Sequence, residues 1–161
     1  YEITYGDWEF RRVLFRSLVI FALVGSDWLI FQPRPSSYAD SPEIIKIESA
    51  GGRTISALYL VNPETEYTVL YSHGNAEDLG DLQSLLEEYR SQGFSVFAYD
   101  YSGYGTSEGR PTSGRVCEDA EAALKYLVEH EKVPLGRIIL HGRSVGAARP
   151  STWRRSTRWP A

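Results

Sequence analysis

The run Ile138-Ile139-Leu140-His141-Gly142-Arg143-Ser144-Val145-Gly146 determines which fold is expected of this chain. Its beginning is short and apolar, as expected of a strand buried on both faces of a parallel sheet. Its end has the pattern Gly-x-Ser-x-Gly, with Ser144 in the centre. A serine at a sharp turn from strand to helix needs glycines two positions before and after it, because only they let the turn close. The alternative is that Gly142 and Gly146 merely end a strand.

The chain before this turn alternates between strands and helices. Residues 44–47 and 54–61 flank Gly51-Gly52 in a pattern that predicts an antiparallel hairpin. Buried-type strands are predicted at residues 67–71 and 94–99, and a third at residues 137–140. A hairpin followed by alternating strands and helices predicts an α/β fold, with a mostly parallel sheet and helices on both faces.

Two helices are predicted between these strands from apolar residues spaced three or four apart. The first helix has the stripe Leu79, Leu82, Leu85, Leu86 and Tyr89 and is expected to end near Gly93. The second has the stripe Val116, Ala120, Ala123, Leu124 and Leu127. Parallel sheets carry their functional groups at the carboxyl ends of the strands, so the active groups are expected there.

Composition limits the function classes that fit. The chain has 161 residues, 42% of them apolar, and a formal net charge of -4, which together predict one globular domain with a hydrophobic core. The basic residues are scattered through the middle of the chain, so nucleic acid is not expected as a partner. The single cysteine, Cys117, is expected to be buried filler in a helix. No metal or cofactor is implied.

The chain divides into four segments. Residues 1–17 include a stretch, residues 9–17, that resembles one reading frame of a sequencing-library adapter, so they are expected to be non-native. Residues 18–40 contain an apolar block and a Pro-rich linker. Residues 41–146 form the domain, and residues 147–161 lack helical periodicity and are expected to be a frameshifted tail.

The apolar block at residues 18–31 suggests a location for the protein. Its length of about 14 residues is too short for a bilayer, which needs roughly 20. We interpret it as the remnant of a membrane anchor with Trp28 at the interface, which predicts membrane association. The alternative is an amphipathic lead-in that packs on the domain.

The candidate chemistry centres on Ser144 as a nucleophile. Attack by a serine on an ester creates an oxyanion, which backbone N–H groups must stabilise. We expect the amides of Val145 and of Asn75 to form this oxyanion hole, the second from the loop after the 67–71 strand. Asn75 could also be a helix N-cap, with Asp78 complementing the helix dipole, and could serve both purposes. His73 is expected to brace the loop and not to act as a base.

Three motifs resemble the α/β-hydrolase superfamily: His73-Gly-Asn-Ala76, Asp100-Tyr-Ser-Gly-Tyr-Gly-Thr-Ser107, and Gly142-Arg-Ser-Val-Gly146. The resemblance covers residues 41–146 and is nearest to serine-aminopeptidase-like hydrolases and to the acyl-protein thioesterases that remove palmitate. It implies an α/β-hydrolase fold truncated after the nucleophile elbow. It also implies that the Asp100 to Ser107 loop is a structural turn near the mouth of the active site.

The resemblance implies a serine hydrolase that cleaves an ester or thioester, or a peptide bond, through an acyl-enzyme on Ser144. The substrate would be a small or acylated molecule. The triad order in this fold is Ser, Asp or Glu, then His, yet no Asp, Glu or His follows Ser144, and neither His130 nor His141 fits the position of the base. The alternative is therefore a catalytically inactive hydrolase-like module that binds a partner or lipid at a membrane.

We expect the 161-residue chain on its own to be inactive and poorly folded. The strand before the elbow would lie at a sheet edge, exposing Ile138, Ile139 and Leu140.

Overall fold

The computed structural model describes residues 5–147 of the chain. These residues contain helices α1 (Tyr5–Val24), α2 (Ser26–Ile30), α3 (Leu79–Ser91) and α4 (Ser113–Glu129), and strands β1 (Ile45–Ser49), β2 (Arg53–Leu60), β3 (Thr68–Ser72), β4 (Ser95–Tyr99) and β5 (Ile138–Gly142). Short 3-10 turns lie at Ala50–Gly52, Leu135–Arg137 and Ser144–Ala147. The tail expected to be frameshifted lies, apart from Ala147, outside the described residues.

The five described strands form one sheet in the order β1-β2-β4-β3-β5. The predicted hairpin is confirmed: β1 and β2 pair antiparallel, and Gly51 and Gly52 between them both have a φ of +72°. Strand β3 pairs in parallel with β4 on one side and with β5 on the other. The carboxyl ends of these three strands therefore meet at one edge of the sheet, with the end of β3 in the middle.

Helices α3 and α4 cover opposite faces of the sheet. Alternate residues of a strand point to opposite faces, and the two buried clusters follow this alternation. Val69 and Val96 pack with the buried leucines of α3, whereas Leu70 and Phe97 pack with the buried residues of α4. Each fully buried leucine contributes about 1.5 to 3 kcal/mol to folding. The predicted α/β class, with helices on both faces, is confirmed.

The start of α3 contradicts the alternative interpretation of Asn75 as the N-cap of this helix. Asp78, and not Asn75, is the N-cap, because its carboxylate accepts hydrogen bonds from the amides of Gly80 and Asp81, at 3.0 and 3.2 Å. The Ser37 amide donates to the other Asp78 oxygen at 2.7 Å. Burial acts to raise the pKa of Asp78, but a hydrogen bond from the Ser37 hydroxyl and the three backbone hydrogen bonds outweigh burial and hold the pKa below its usual value.

The segment before β1 is packed at its end and exposed at its beginning. Phe31 is 7% exposed and belongs to the core, and the Tyr38 hydroxyl donates to the Asp100 carboxylate at 2.6 Å. In the described part of the chain, none of the helices combines the length and apolar character that a membrane-spanning helix requires. The exposed apolar side chains before Phe31 are Trp8, Phe10, Val13, Leu14, Phe15, Leu18, Val19, Ile20, Phe21, Trp28, Leu29 and Ile30.

Strand β5 lies at an edge of the described sheet, as expected. Ile139 and Leu140 are exposed, at 40% and 38%, but the prediction for Ile138 was wrong, because it packs into the core on the α4 side and is 4% exposed. Cys117 is only partly buried, and this burial raises the pKa of its thiol.

Candidate active site

Ser144 lies at a tight turn directly after β5. Its φ of +53° is in the left-handed region, which residues with a side chain rarely adopt, and the residue is exposed. The Gly146 amide donates to the Arg143 carbonyl at 2.9 Å and closes the turn. Strained backbone of this kind costs about 1 to 3 kcal/mol and clusters at functional sites.

The two flanking glycines are required by close contacts between backbone segments. A Cβ at position 142 would overlap the carbonyl oxygen of Gly146, and a Cβ at position 146 would overlap the carbonyl oxygen of Ser72. Neither obstacle is a flexible side chain, so neither can rotate away. The glycines thus do more than end a strand: they let the turn fold back onto itself and onto the end of β3.

The loop after β3 is fastened to this turn. Because β3 is the neighbour of β5, the Arg143 amide reaches the Ser72 carbonyl and donates to it at 3.0 Å. The Glu77 carboxylate joins the two loops a second time. One of its oxygens accepts from the Gly74 amide at 3.0 Å, and the other accepts from the Arg143 guanidinium at 2.5 Å.

His73 is buried and surrounded by aromatic rings. Its ring centroid lies 4.4 Å from that of Tyr101 and 5.3 Å from that of Tyr104. Its Nδ1 is 2.7 Å from the Gly74 carbonyl oxygen. Its Nε2 lies 3.3 Å from Asp100 Oδ1, but this approach lacks hydrogen-bond geometry. These contacts brace the loop, as expected, and leave His73 enclosed.

The amides of Asn75 and Val145 are placed in the two loops that Glu77 joins. Within residues 5–147, neither of these N–H groups donates a hydrogen bond to another protein group. Val145 itself is half-buried against the core. Ser144 Oγ likewise has no hydrogen-bond partner within this range. Two unused amides and a free hydroxyl on adjacent loops are compatible with an oxyanion hole beside a nucleophile.

The turn after β4 supports the loop after β3 from the other side. The Tyr101 hydroxyl donates to the His73 carbonyl at 2.8 Å, and burial raises the pKa of Tyr101 far above its usual value, so this donor keeps its proton. Gly103 and Gly105 have φ values of +84° and +50°. A Cβ on Gly105 would overlap the buried Asp100 carboxylate, so this turn also requires glycine.

The remaining histidines lie away from any catalytic arrangement. His141 Nδ1 is 2.6 Å from the Tyr89 hydroxyl, and His130 stacks on Tyr126 with centroids 4.5 Å apart. An open groove of about 800 Å³ between β1 and α4 is not lined by Ser144. In the described range, no three His, Cys, Asp or Glu side chains are grouped so as to hold a metal ion.

Sequence comparison identifies the family. The family model described as "Serine aminopeptidase, S33" matches residues 63–159, which is more than half of the chain and includes all three motifs. The chain belongs to this serine aminopeptidase family. Human alpha/beta hydrolase domain-containing protein 17B is 36% identical over 109 residues, which cover 66% of this chain and 38% of that protein. The Caenorhabditis elegans alpha/beta hydrolase domain-containing protein aho-3 is 44% identical over 88 residues, 52% of this chain and 26% of that protein.

Solved structures agree on the fold of this family member. An esterase from Pyrococcus furiosus superimposes with a TM-score of 0.61 at 22% identity, over 72% of this chain and 49% of that chain. An alpha-beta hydrolase from Vibrio vulnificus superimposes with a TM-score of 0.53 at 24% identity, over 62% and 35%. The predicted α/β-hydrolase fold is confirmed. The chain spans between about a quarter and two fifths of the length of the curated relatives that it matches.

Proposed function

We propose that the full-length protein containing this chain is a serine hydrolase that cleaves an ester or thioester through an acyl-enzyme on Ser144. The observation that carries the proposal is the left-handed backbone of Ser144 between two glycines whose Cβ positions are blocked by backbone carbonyls. Glycine at position 144 would adopt the same left-handed backbone without strain. A serine there indicates that an exposed hydroxyl is needed at this turn. Membership of a hydrolase family and the hydrolase fold support the same proposal.

The proposed reaction uses these groups in two stages. Ser144 Oγ attacks the carbonyl carbon, its proton passes to a base, and the amides of Asn75 and Val145 donate to the oxyanion. The oxyanion then collapses, the bond from carbon to the leaving oxygen or sulfur breaks, and the leaving group takes the proton. Water activated by the same base next attacks the acyl-enzyme, which releases the acid and regenerates Ser144.

The base and its acidic partner are not assigned to the described residues. In this fold they follow the serine in the order Asp or Glu, then His, and this sequence has no such residue after Ser144. We therefore propose that both lie in parts of the full-length protein outside this sequence. The partial coverage of the curated relatives is in accord with this proposal.

The proposal is tested by labelling the full-length protein with a fluorophosphonate probe, which reacts with activated serines. The wild type should be labelled at Ser144, and Ser144→Ala should abolish both labelling and ester hydrolysis. Ser91→Ala removes another serine, at the end of α3, whose hydroxyl only donates to the Glu88 carbonyl, and it should be labelled like the wild type. Persistent labelling of Ser144→Ala would show that another serine is the nucleophile.

A second candidate is a catalytically inactive module that contacts a membrane. The exposed apolar side chains of α1 and α2 favour it, since Trp28 is 77% exposed and its neighbours Leu29 and Ile30 are exposed as well. Membrane association is compatible with either function. Flotation of the full-length protein with liposomes tests it: Trp28→Ser with Leu29→Ser should reduce the floated fraction several-fold, and unchanged flotation would exclude this segment as the contact.

A further inference from the structure

We propose that the side chain of Asn75 is a positioning residue, which fixes the oxyanion-hole amide of its own backbone by fastening the loop after β3 to residues 27–32. This inference rests on the proposed function, in which the Asn75 amide donates to the oxyanion. It adds a role for the N-terminal segment, because residues 27–32 then belong to the framework of the active site.

The Asn75 carboxamide is held from two directions. Its Nδ2 donates to the Ile30 carbonyl at 2.7 Å. Its Oδ1 accepts from the Gln32 amide at 3.1 Å and from the Tyr104 hydroxyl at 2.6 Å. The amide group thus bridges two backbone groups of residues 27–32 and the turn after β4. Burial raises the pKa of Tyr104 to about 12, so its hydroxyl remains a donor at neutral pH.

Residues 27–32 are themselves fixed to the domain, so they can serve as an anchor. The Asp27 carboxylate accepts from the amide and the hydroxyl of Ser113 at 3.0 and 2.7 Å, which joins the segment to the start of α4. Phe31 is buried in the core on the α4 side of the sheet. The segment is therefore held at Asp27 and at Phe31, on either side of the Ile30 carbonyl that Asn75 contacts.

The backbone next to Asn75 connects the Asn75 side chain to the orientation of the Asn75 backbone N–H group. Ala76 has a φ of +59°, a conformation that residues with a side chain rarely adopt, and its amide donates to Asn75 Oδ1 at 3.1 Å. The carboxamide therefore holds this unusual turn from within the loop. An amide that stabilises an oxyanion must already point at the oxyanion before the reaction, and a displacement of about 1 Å can cost about 100-fold in rate.

Asn75→Asp in the full-length protein tests this role. The aspartate can keep all three acceptor contacts, to Gln32, Ala76 and Tyr104. It places an oxygen instead of a donor against the Ile30 carbonyl, so these two oxygens repel each other and the contact is lost. We expect kcat for a soluble ester to fall about 10- to 100-fold while KM changes less than about threefold, because the oxyanion interaction exists only in the transition state. Binding of a trifluoromethyl ketone, which forms a tetrahedral adduct, should weaken by the same factor as kcat/KM.

A matched control is available at Asn62. Its carboxamide also bridges backbone groups, accepting from the Glu64 amide at 2.9 Å and donating to the Arg90 carbonyl at 3.1 Å. It lies at the end of the sheet opposite to the carboxyl ends of β3, β4 and β5. Asn62→Asp should leave kcat and KM unchanged. Tyr104→Phe removes one of the contacts to Asn75 Oδ1 and should give a smaller loss in kcat than Asn75→Asp.

The outcomes separate this inference from the proposed function. If wild-type protein is not labelled by the fluorophosphonate at Ser144, the proposed function fails. If Ser144 is labelled and Asn75→Asp turns over like the wild type, only the positioning role fails. A variant whose kcat falls solely in proportion to its folded fraction, measured by circular dichroism, would likewise overturn the positioning role, because Asn75 would then only stabilise the fold.

Discussion

Replacing Gly146 by alanine should test the packing on which the Ser144 turn depends. The new Cβ would overlap the Ser72 carbonyl oxygen and would lie 2.7 Å from both the Ser72 carbonyl carbon and the Tyr101 hydroxyl oxygen. Overpacking usually costs 1 to 3 kcal/mol. Because the first obstacle is backbone of β3, which is paired on both sides, we expect about 3 kcal/mol in the free energy of unfolding.

Urea denaturation of the full-length protein measures this change. With a urea dependence of about 2 to 3 kcal/mol per molar, a loss of 3 kcal/mol lowers the midpoint by about 1 to 1.5 M. Gly114→Ala is the matched control, since nothing lies within 4 Å of its added Cβ in the first turn of α4. It should be neutral or raise stability by up to about 1 kcal/mol. A Gly146→Ala protein with the wild-type midpoint and full activity would refute the close approach of the turn to β3.

Three further predictions concern stability or solubility. Asp119→Ala should cost at least about 2 kcal/mol in urea denaturation, because buried donors on Ser49 and Ser102 lose their acceptor; a wild-type midpoint would contradict this. Asp78→Ala should cost about 1 to 2 kcal/mol at pH 7. Since the pKa of Asp78 is lowered on folding, the gap should persist above pH 4 and close as the pH falls through the lowered pKa; a constant gap down to pH 2 would exclude this. Ile139→Lys should raise the soluble fraction of the 161-residue chain expressed alone, and unchanged solubility would exclude the β5 edge as the cause of aggregation.

The local parts of the site could be predicted from the sequence. The requirement for glycine at positions 142 and 146 could be predicted because the turn around Ser144 must be tight. In the structure, a backbone carbonyl blocks the Cβ position of each glycine. The stripe of α3 was also predictable, since Leu79, Leu82 and Leu86 are buried as their spacing requires. Both features depend on residues a few positions apart, where spacing alone determines the geometry.

The contacts between segments could not be predicted in the same way. The role of Glu77 in joining the two loops could not be predicted from the sequence, because Arg143 comes close to Glu77 only when β5 pairs with β3. The contact of Asn75 with Ile30 could not be predicted for a related reason. Residues 18–31 are interpreted from their composition as an anchor remnant or as a lead-in that packs on the domain, and neither interpretation specifies a contact with Asn75. Asn75 was considered as an N-cap because asparagine favours caps, but Asp78 is closer to the start of α3 and performs that role.

The position of β3 explains why the described site depends on contacts between loops. The Ser72 carbonyl at the end of this strand accepts from the Arg143 amide and also packs against Gly146, so the end of β3 supports the turn at Ser144. The next residue, His73, begins the loop that carries Asn75, and its carbonyl accepts from Tyr101. A strand paired on both sides is difficult to displace, and functional groups on rigid elements keep their geometry better than groups on free loops. Substitutions that loosen the end of β3 should therefore disturb the nucleophile and the oxyanion loop together, whereas loss of the Asn75 contacts to Ile30 and Gln32 should disturb the oxyanion loop alone.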